Sequence, residues 1–118
     1  MSTQFTDFSL DFLLFLPYNN NMKNELKFMW DESKRKENIE KRGLDIVILA
    51  PKVFDDPNAE IEPDIRKHYG EDRYLIYGMA DDLRLCICFT LRDDVIWLIT
   101  IFKLHKKIWE KHYGKKNN

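Results

Sequence analysis

Glu71 and Arg73 stand two residues apart where a strand-like segment begins, so their side chains can share one face, and His68 precedes Glu71 by three positions. A carboxylate, a guanidinium and an imidazole gathered this closely suit proton transfer beside a bound anion. Imidazole exchanges protons near neutrality, and guanidinium offers a planar fork to two oxygens at once. On its own, His68 would be an ordinary loop histidine. Lys34 and Lys41, seven apart in a charged helical segment, fall on one face of that helix; so do His105 and His112 near the C-terminus, which read as surface residues. Cys86 and Cys88 put two thiols on one face of a strand. Two cysteines cannot build a disulfide framework, and no further nitrogen or sulfur ligands lie near them, so no metal site is expected and the chain reads as reduced and cytoplasmic. The glycine-rich phosphate loop, G-x-S-x-G, H-E-x-x-H and the dinucleotide fingerprint are all absent, and with 4 glycines no cofactor is expected.

The elements that must position these groups follow from periodicity. Leu26, Phe28 and Trp30 alternate as on a strand, and Asp31 then N-caps a helix over residues 32–42 that Gly43 terminates. Ile39 is that helix's one large apolar anchor. Residues 45–54 predict a second helix, with a kink or restart near Ala50 because Pro51 removes a hydrogen bond. Residues 55–58 form a turn, 59–62 a short edge strand, and 64–72 a polar loop. Three strands follow, at Arg73–Met79, Leu83–Leu91 and Val95–Phe102, separated by Asp81-Asp82 and Arg92-Asp93-Asp94. In the middle strand the odd positions Leu83 to Leu91 face the core, and Arg84, Cys86, Cys88 and Thr90 point away. Such short turns force antiparallel pairing. Lys103–Tyr113 closes the chain as a helix with Leu104, Ile108 and Trp109 on its apolar face. The expected fold is α+β: an antiparallel β-meander of three or four strands with two N-terminal helices and a C-terminal helix.

At 118 residues the chain has room for one domain with a core of its own. Residues 1–21 differ in composition and lack the basic start and cleavage site of a signal peptide. They are expected to be a poorly ordered extension before a domain at 22–118, with Met22 an alternative start. No apolar run approaches a membrane span. The formal net charge of −1 conceals an asymmetry: from Lys103 onward six lysines oppose Glu110 alone, a local +5 that leaves −6 for the rest. One end of a nearly neutral chain is therefore attractive to polyanions.

Several segments occur in a specific order: Phe28-x-Trp30-Asp31-Glu32-x-Lys34, Asn38-x-x-Lys41-Arg42-Gly43, Val53-Phe54-Asp55-Asp56-Pro57, Tyr69-Gly70-Glu71-Asp72-Arg73, then Gly78 and Phe89-Thr90. Over about residues 26–113 the chain resembles the BrnT family, the toxins of BrnT/BrnA type II toxin–antitoxin pairs. The resemblance implies a RelE-like ribonuclease fold and a metal-independent endoribonuclease that inhibits translation. It also implies neutralisation by a BrnA-like antitoxin in a hetero-oligomer. Two departures stand out. The family's last strand reads close to R-I-I-S-A-R-K, whereas here Trp97 and Phe102 replace the two arginines, and Arg42 stands where the family usually has histidine.

RNA cleavage without a metal needs a base for the ribose 2′-OH, cations for the phosphate and an acid for the leaving 5′-oxygen. The resemblance makes Glu71 and His68 the acid–base candidates and Arg42, Arg73 and Lys103 the phosphate clamps, on the expectation that these cations converge on one concave patch. Lys34, Lys41, Lys106 and Lys107 would bind the RNA backbone, which gives affinity without sequence choice. A second reading follows from Trp97 and Phe102: a catalytically degenerate toxin-like protein that only binds its antitoxin. A third is a nucleic-acid-binding regulator.

Overall fold

A computed structural model describes residues 26–114; the expected N-terminal extension lies outside the described residues. The chain opens with strand β1 (Phe28–Trp30) and passes through Asp31 into helix α1 (Glu32–Arg42). Asp31 accepts from the Ser33 and Lys34 amides, satisfying donors that a helix start leaves orphaned, and Gly43 ends the helix at φ 68°. Helix α2 (Ile46–Phe54) is capped by Asp45, which accepts from Val47 N at 3.0 Å and also receives Arg35 Nη2 at 2.9 Å, clamping the two helices together.

Three local expectations are revised. Helix α2 continues through Pro51 without a restart. Pro51 is exposed, the bond it forgoes is to Val47 in the first turn, and burial of Leu49, Ala50, Val53 and Phe54 outweighs that loss. In α1 the inward residue is Asn38 (4% exposed) and not Ile39 (40%); the Asn38 side chain donates to Lys34 O and accepts from Arg42 Nη1. The C-terminal helix is shorter than expected, at Lys106–His112, and Ile108 on it is 44% exposed.

The remaining strands are β2 (Glu60–Pro63), β3 (Tyr74–Ala80), β4 (Leu83–Arg92) and β5 (Val95–Lys103). They form the expected antiparallel meander, but the sheet is five-stranded and mixed, in the order β1-β5-β4-β3-β2. Strand β1 lies parallel to β5, Met29 opposite Trp97, a partnership no short turn announces. Both tight hairpins place consecutive aspartates at positive φ, Asp81 and Asp82 (51° and 64°) and Asp93 and Asp94 (52° and 64°). That conformation matches the twist of the flanking strands, and aspartate tolerates it better than most side chains.

Helix α2 packs on one face of the sheet, where Leu85, Ile87, Phe89, Tyr74, Ile76, Ile96, Leu98 and Ile101 join Val53 and Phe54 in the main core. Gly78 permits the close approach: a Cβ there would lie 2.9 Å from Val53 Cγ1 and 3.0 Å from Val53 O. The opposite face is also covered. Leu75, Tyr77, Cys86 and Cys88 form a second cluster under Trp109 of the C-terminal helix, now α3. Two tethers fix α3: Tyr113 Oη donates to Asp56 Oδ2 at 2.8 Å, and His112 Nδ1 lies 3.0 Å from Glu62 Oε2 with its ring stacked on Tyr77. His112 is therefore half-buried with a carboxylate partner. The pairing register breaks between Cys88 and Phe89, leaving Ile99 as an extra residue in β5 and letting Thr100 and Phe102 join the α3 side.

Candidate functional site

The loop at residues 64–72 is organised by one buried carboxylate. The backbone amide of Asp64 donates to Arg73 O at 2.8 Å, extending the β2–β3 ladder by one pair. Its side chain is fully buried and accepts from Arg66 Nε and Nη2, both at 2.8 Å, and from Tyr69 Oη at 3.1 Å. Cys88 Sγ donates to it from β4 at 3.5 Å. The Arg66 guanidinium holds the Asp64 carboxyl far below the usual carboxylate range, outweighing the desolvation that opposes it. Burial pushes the Cys86 and Cys88 thiols up, to about 12 and about 11. Protonated and enclosed, they are not nucleophiles.

Pinned in this way, the loop walls a cleft of about 710 Å³ whose lining includes His68, Glu71 and Arg73. Glu71 is the hub of its polar edge. It accepts from Arg73 Nε at 3.1 Å, and Arg92 Nη2 reaches both of its oxygens at 3.2 Å. Each arginine also lies over an aromatic ring, Arg73 4.4 Å from the centroid of Tyr69 and Arg92 5.0 Å from that of Trp97. Stacking and ion pairing together fix the two forks in space. Thr90 Oγ1 donates to Asp72 O at 2.6 Å and ties the loop to β4. Two guanidiniums meet one carboxylate beside a groove with a histidine, an arrangement suited to gripping an oxyanion and passing protons to it.

Of the sequence-derived candidates, His68, Glu71 and Arg73 are thus brought together, and the others are not. Arg42 ends α1, bonded to Asn38. Lys103 stands opposite Leu85, on the face that α2 covers, while Arg73 shares the other face with Leu75. From Leu85 to Phe89, which pairs with Tyr74, is four residues of β4, roughly 13 Å at the strand rise. Lys103 and Arg73 do not converge, because strand alternation and the length of β4 separate them. Lys34 and Lys41 are exposed on α1, where Lys41 pairs with Glu37 at 2.8 Å. Lys106 and Lys107 are exposed in the first turn of α3, on the same side of the sheet as Arg73. Among the described residues no group of three or more His, Cys, Asp or Glu is placed to hold a metal ion, and no helix is long and apolar enough to cross a membrane.

Sequence reasoning missed Asp64, Arg66, Tyr69 and Arg92. The one signal for the first three was the dense run of charged and hydrogen-bonding residue types in the segment 64–72, read as a polar loop; Arg92 was hidden as a turn residue. The two departures at Trp97 and Phe102 also differ from each other. Phe102 packs against the second cluster, whereas Trp97, half-buried, belongs to neither cluster and meets Arg92 instead.

A family model described as ribonuclease toxin, BrnT, of type II toxin–antitoxin system matches residues 30–107, more than half of the chain. No curated protein and no solved structure matches the chain significantly.

Proposed function

The chain therefore belongs to the BrnT family of type II toxin–antitoxin ribonuclease toxins, and on that premise we propose that it cuts RNA at the 64–72 loop cleft without a metal ion. Translation would be inhibited until a BrnA-like antitoxin neutralises the toxin in a cytoplasmic hetero-oligomer. The observation that carries this reading is the meeting of His68, Glu71 and Arg73 along one cleft, with Glu71 held between two guanidiniums.

In the proposed reaction the ribose 2′-oxygen bonds to the adjacent phosphorus as the bond to the 5′-oxygen breaks. Glu71 takes the 2′-OH proton, and His68 in its imidazolium form gives a proton to the departing 5′-oxygen. Arg73 stabilises the charge that grows on the phosphate oxygens. The product left at the 3′ side is a cyclic phosphate. Lys106 and Lys107 add attraction for the backbone on the same side of the sheet, while Arg42, Lys103, Lys34 and Lys41 act as outlying cations.

Growth tests this reading. Expression in a bacterial host without the antitoxin is expected to arrest growth, and the Glu71→Gln variant to relieve the arrest. Normal growth alongside abundant soluble wild-type protein would contradict it. The degenerate, antitoxin-binding reading draws on the arginines replaced by Trp97 and Phe102; in that case growth continues in both strains.

A further inference from the structure

We infer that Arg92 and Trp97 form a second binding element beside the cleft, one that takes a phosphate on the guanidinium and a splayed base on the indole, and so selects single-stranded RNA. This rests on the reading of the cleft as the place where RNA is cut. Trp97 lies on the α3 side of the sheet, paired with Thr90, and it is the large aromatic of β5 that enters neither hydrophobic cluster. A half-buried indole outside the core keeps part of its surface in solvent. Its contact with Arg92, at 5.0 Å, orders the ring against the guanidinium. Arg92 in turn is nearly half exposed (47%), and among the described residues its fork is bonded to Glu71 through Nη2, which leaves further donors for a ligand.

The spacing has a chemical meaning. Arg73 with Tyr69 repeats the pattern of Arg92 with Trp97, and Glu71 joins the two pairs. Two guanidiniums bracketing one carboxylate, each backed by an aromatic ring, match the alternation of phosphate and base along an unpaired strand. In a duplex the bases are stacked on one another and cannot reach a ring lying on the sheet.

The test uses a short 2′-O-methyl oligoribonucleotide, single-stranded or annealed to its complement, because it cannot be cleaved by attack of the 2′-OH and reports binding alone. Titration is followed by tryptophan fluorescence and independently by anisotropy of a labelled strand. The wild-type protein is expected to bind the single strand at least tenfold more tightly than the duplex. Arg92→Lys, which keeps charge and loses the fork, and Trp97→Leu are each expected to weaken single-strand binding about tenfold. Trp97→Phe should recover most of the loss, which separates a stacking role from damage to the fold. Equal affinity for single strand and duplex, or unchanged affinity in both variants, overturns the inference. Those outcomes leave the nuclease reading intact. Failure of folded wild-type protein to cut unmodified RNA overturns that reading instead, while binding of the modified strand still decides the role of Arg92 and Trp97.

Discussion

Asp64 shows how much one side chain can settle. A carboxylate with no exposed surface would be costly alone, and it persists because Arg66, Tyr69 and Cys88 all donate to it. Its depressed pKa fixes the sign of a pH dependence. The stabilisation is fully present above the unfolded carboxyl range near about pH 4 and is lost as pH falls below it toward the folded value. Asp64→Asn is accordingly expected to cost about 2 kcal/mol at pH 7, part of the pair being screened because Arg66 is half exposed. Thermal melts from pH 7 to pH 2 check this: the gap between wild type and variant should narrow progressively as pH falls below about 4, and a constant gap would refute the assignment. Phe102 gives a second residue-scale prediction. Its ring packs on the cluster of Cys86 and Trp109, so Phe102→Arg should lose about 1–2 kcal/mol in urea melts and gain no nuclease activity. A rise in activity would mean that the position belongs to the site. That His68, Glu71 and Arg73 line one cleft was legible as residue types at close spacing. The roles of Phe102 and Trp97 were not, since both sit on one apolar strand and only the β5 bulge and the reach of Arg92 distinguish them.

Among the elements, strands β3 to β5 could be read from alternation and aspartate-rich turns because each signal is local. The parallel pairing of β1 with β5 was hidden, since it joins residues far apart in sequence through main-chain bonds that leave no side-chain mark; Ile96 N donating to Lys27 O at 3.0 Å is one of them. Coverage of the second face was hidden for another reason: its residues include cysteines and a tyrosine, which alternation scores as neither polar nor clearly core. The Asn38 inversion in α1 followed from the same limit, because an amide satisfied by its own helix can face inward. Gly78 carries the element-scale prediction. A methyl added there would meet both the side chain and the backbone carbonyl of Val53, at 2.9 and 3.0 Å, so α2 must shift to accept it. Gly78→Ala is expected to destabilise the fold by about 1–3 kcal/mol in urea melts. An unchanged midpoint would show that α2 sits less tightly on β3 than described.

At the scale of the whole molecule the two faces of the sheet carry different groups. One face, under α2, carries the main core; the other carries the smaller cluster under α3 and, beyond it, the cleft edge with Arg73, Arg92 and Trp97. The charge asymmetry visible in composition therefore has a partial structural counterpart, in that Lys106 and Lys107 share a side with the cleft while Lys103 turns toward the other face. Alternation dictates that division, and composition alone could not reveal it. The most direct test of where the chemistry lies is single-turnover cleavage of single-stranded RNA by the purified protein in excess chelator, comparing wild type, Arg73→Lys and Lys103→Gln. We predict cleavage by the wild type, a loss of about a hundredfold in Arg73→Lys and a change within about threefold in Lys103→Gln. Equal losses in the two variants, or no cleavage by the folded wild-type protein, would contradict the account.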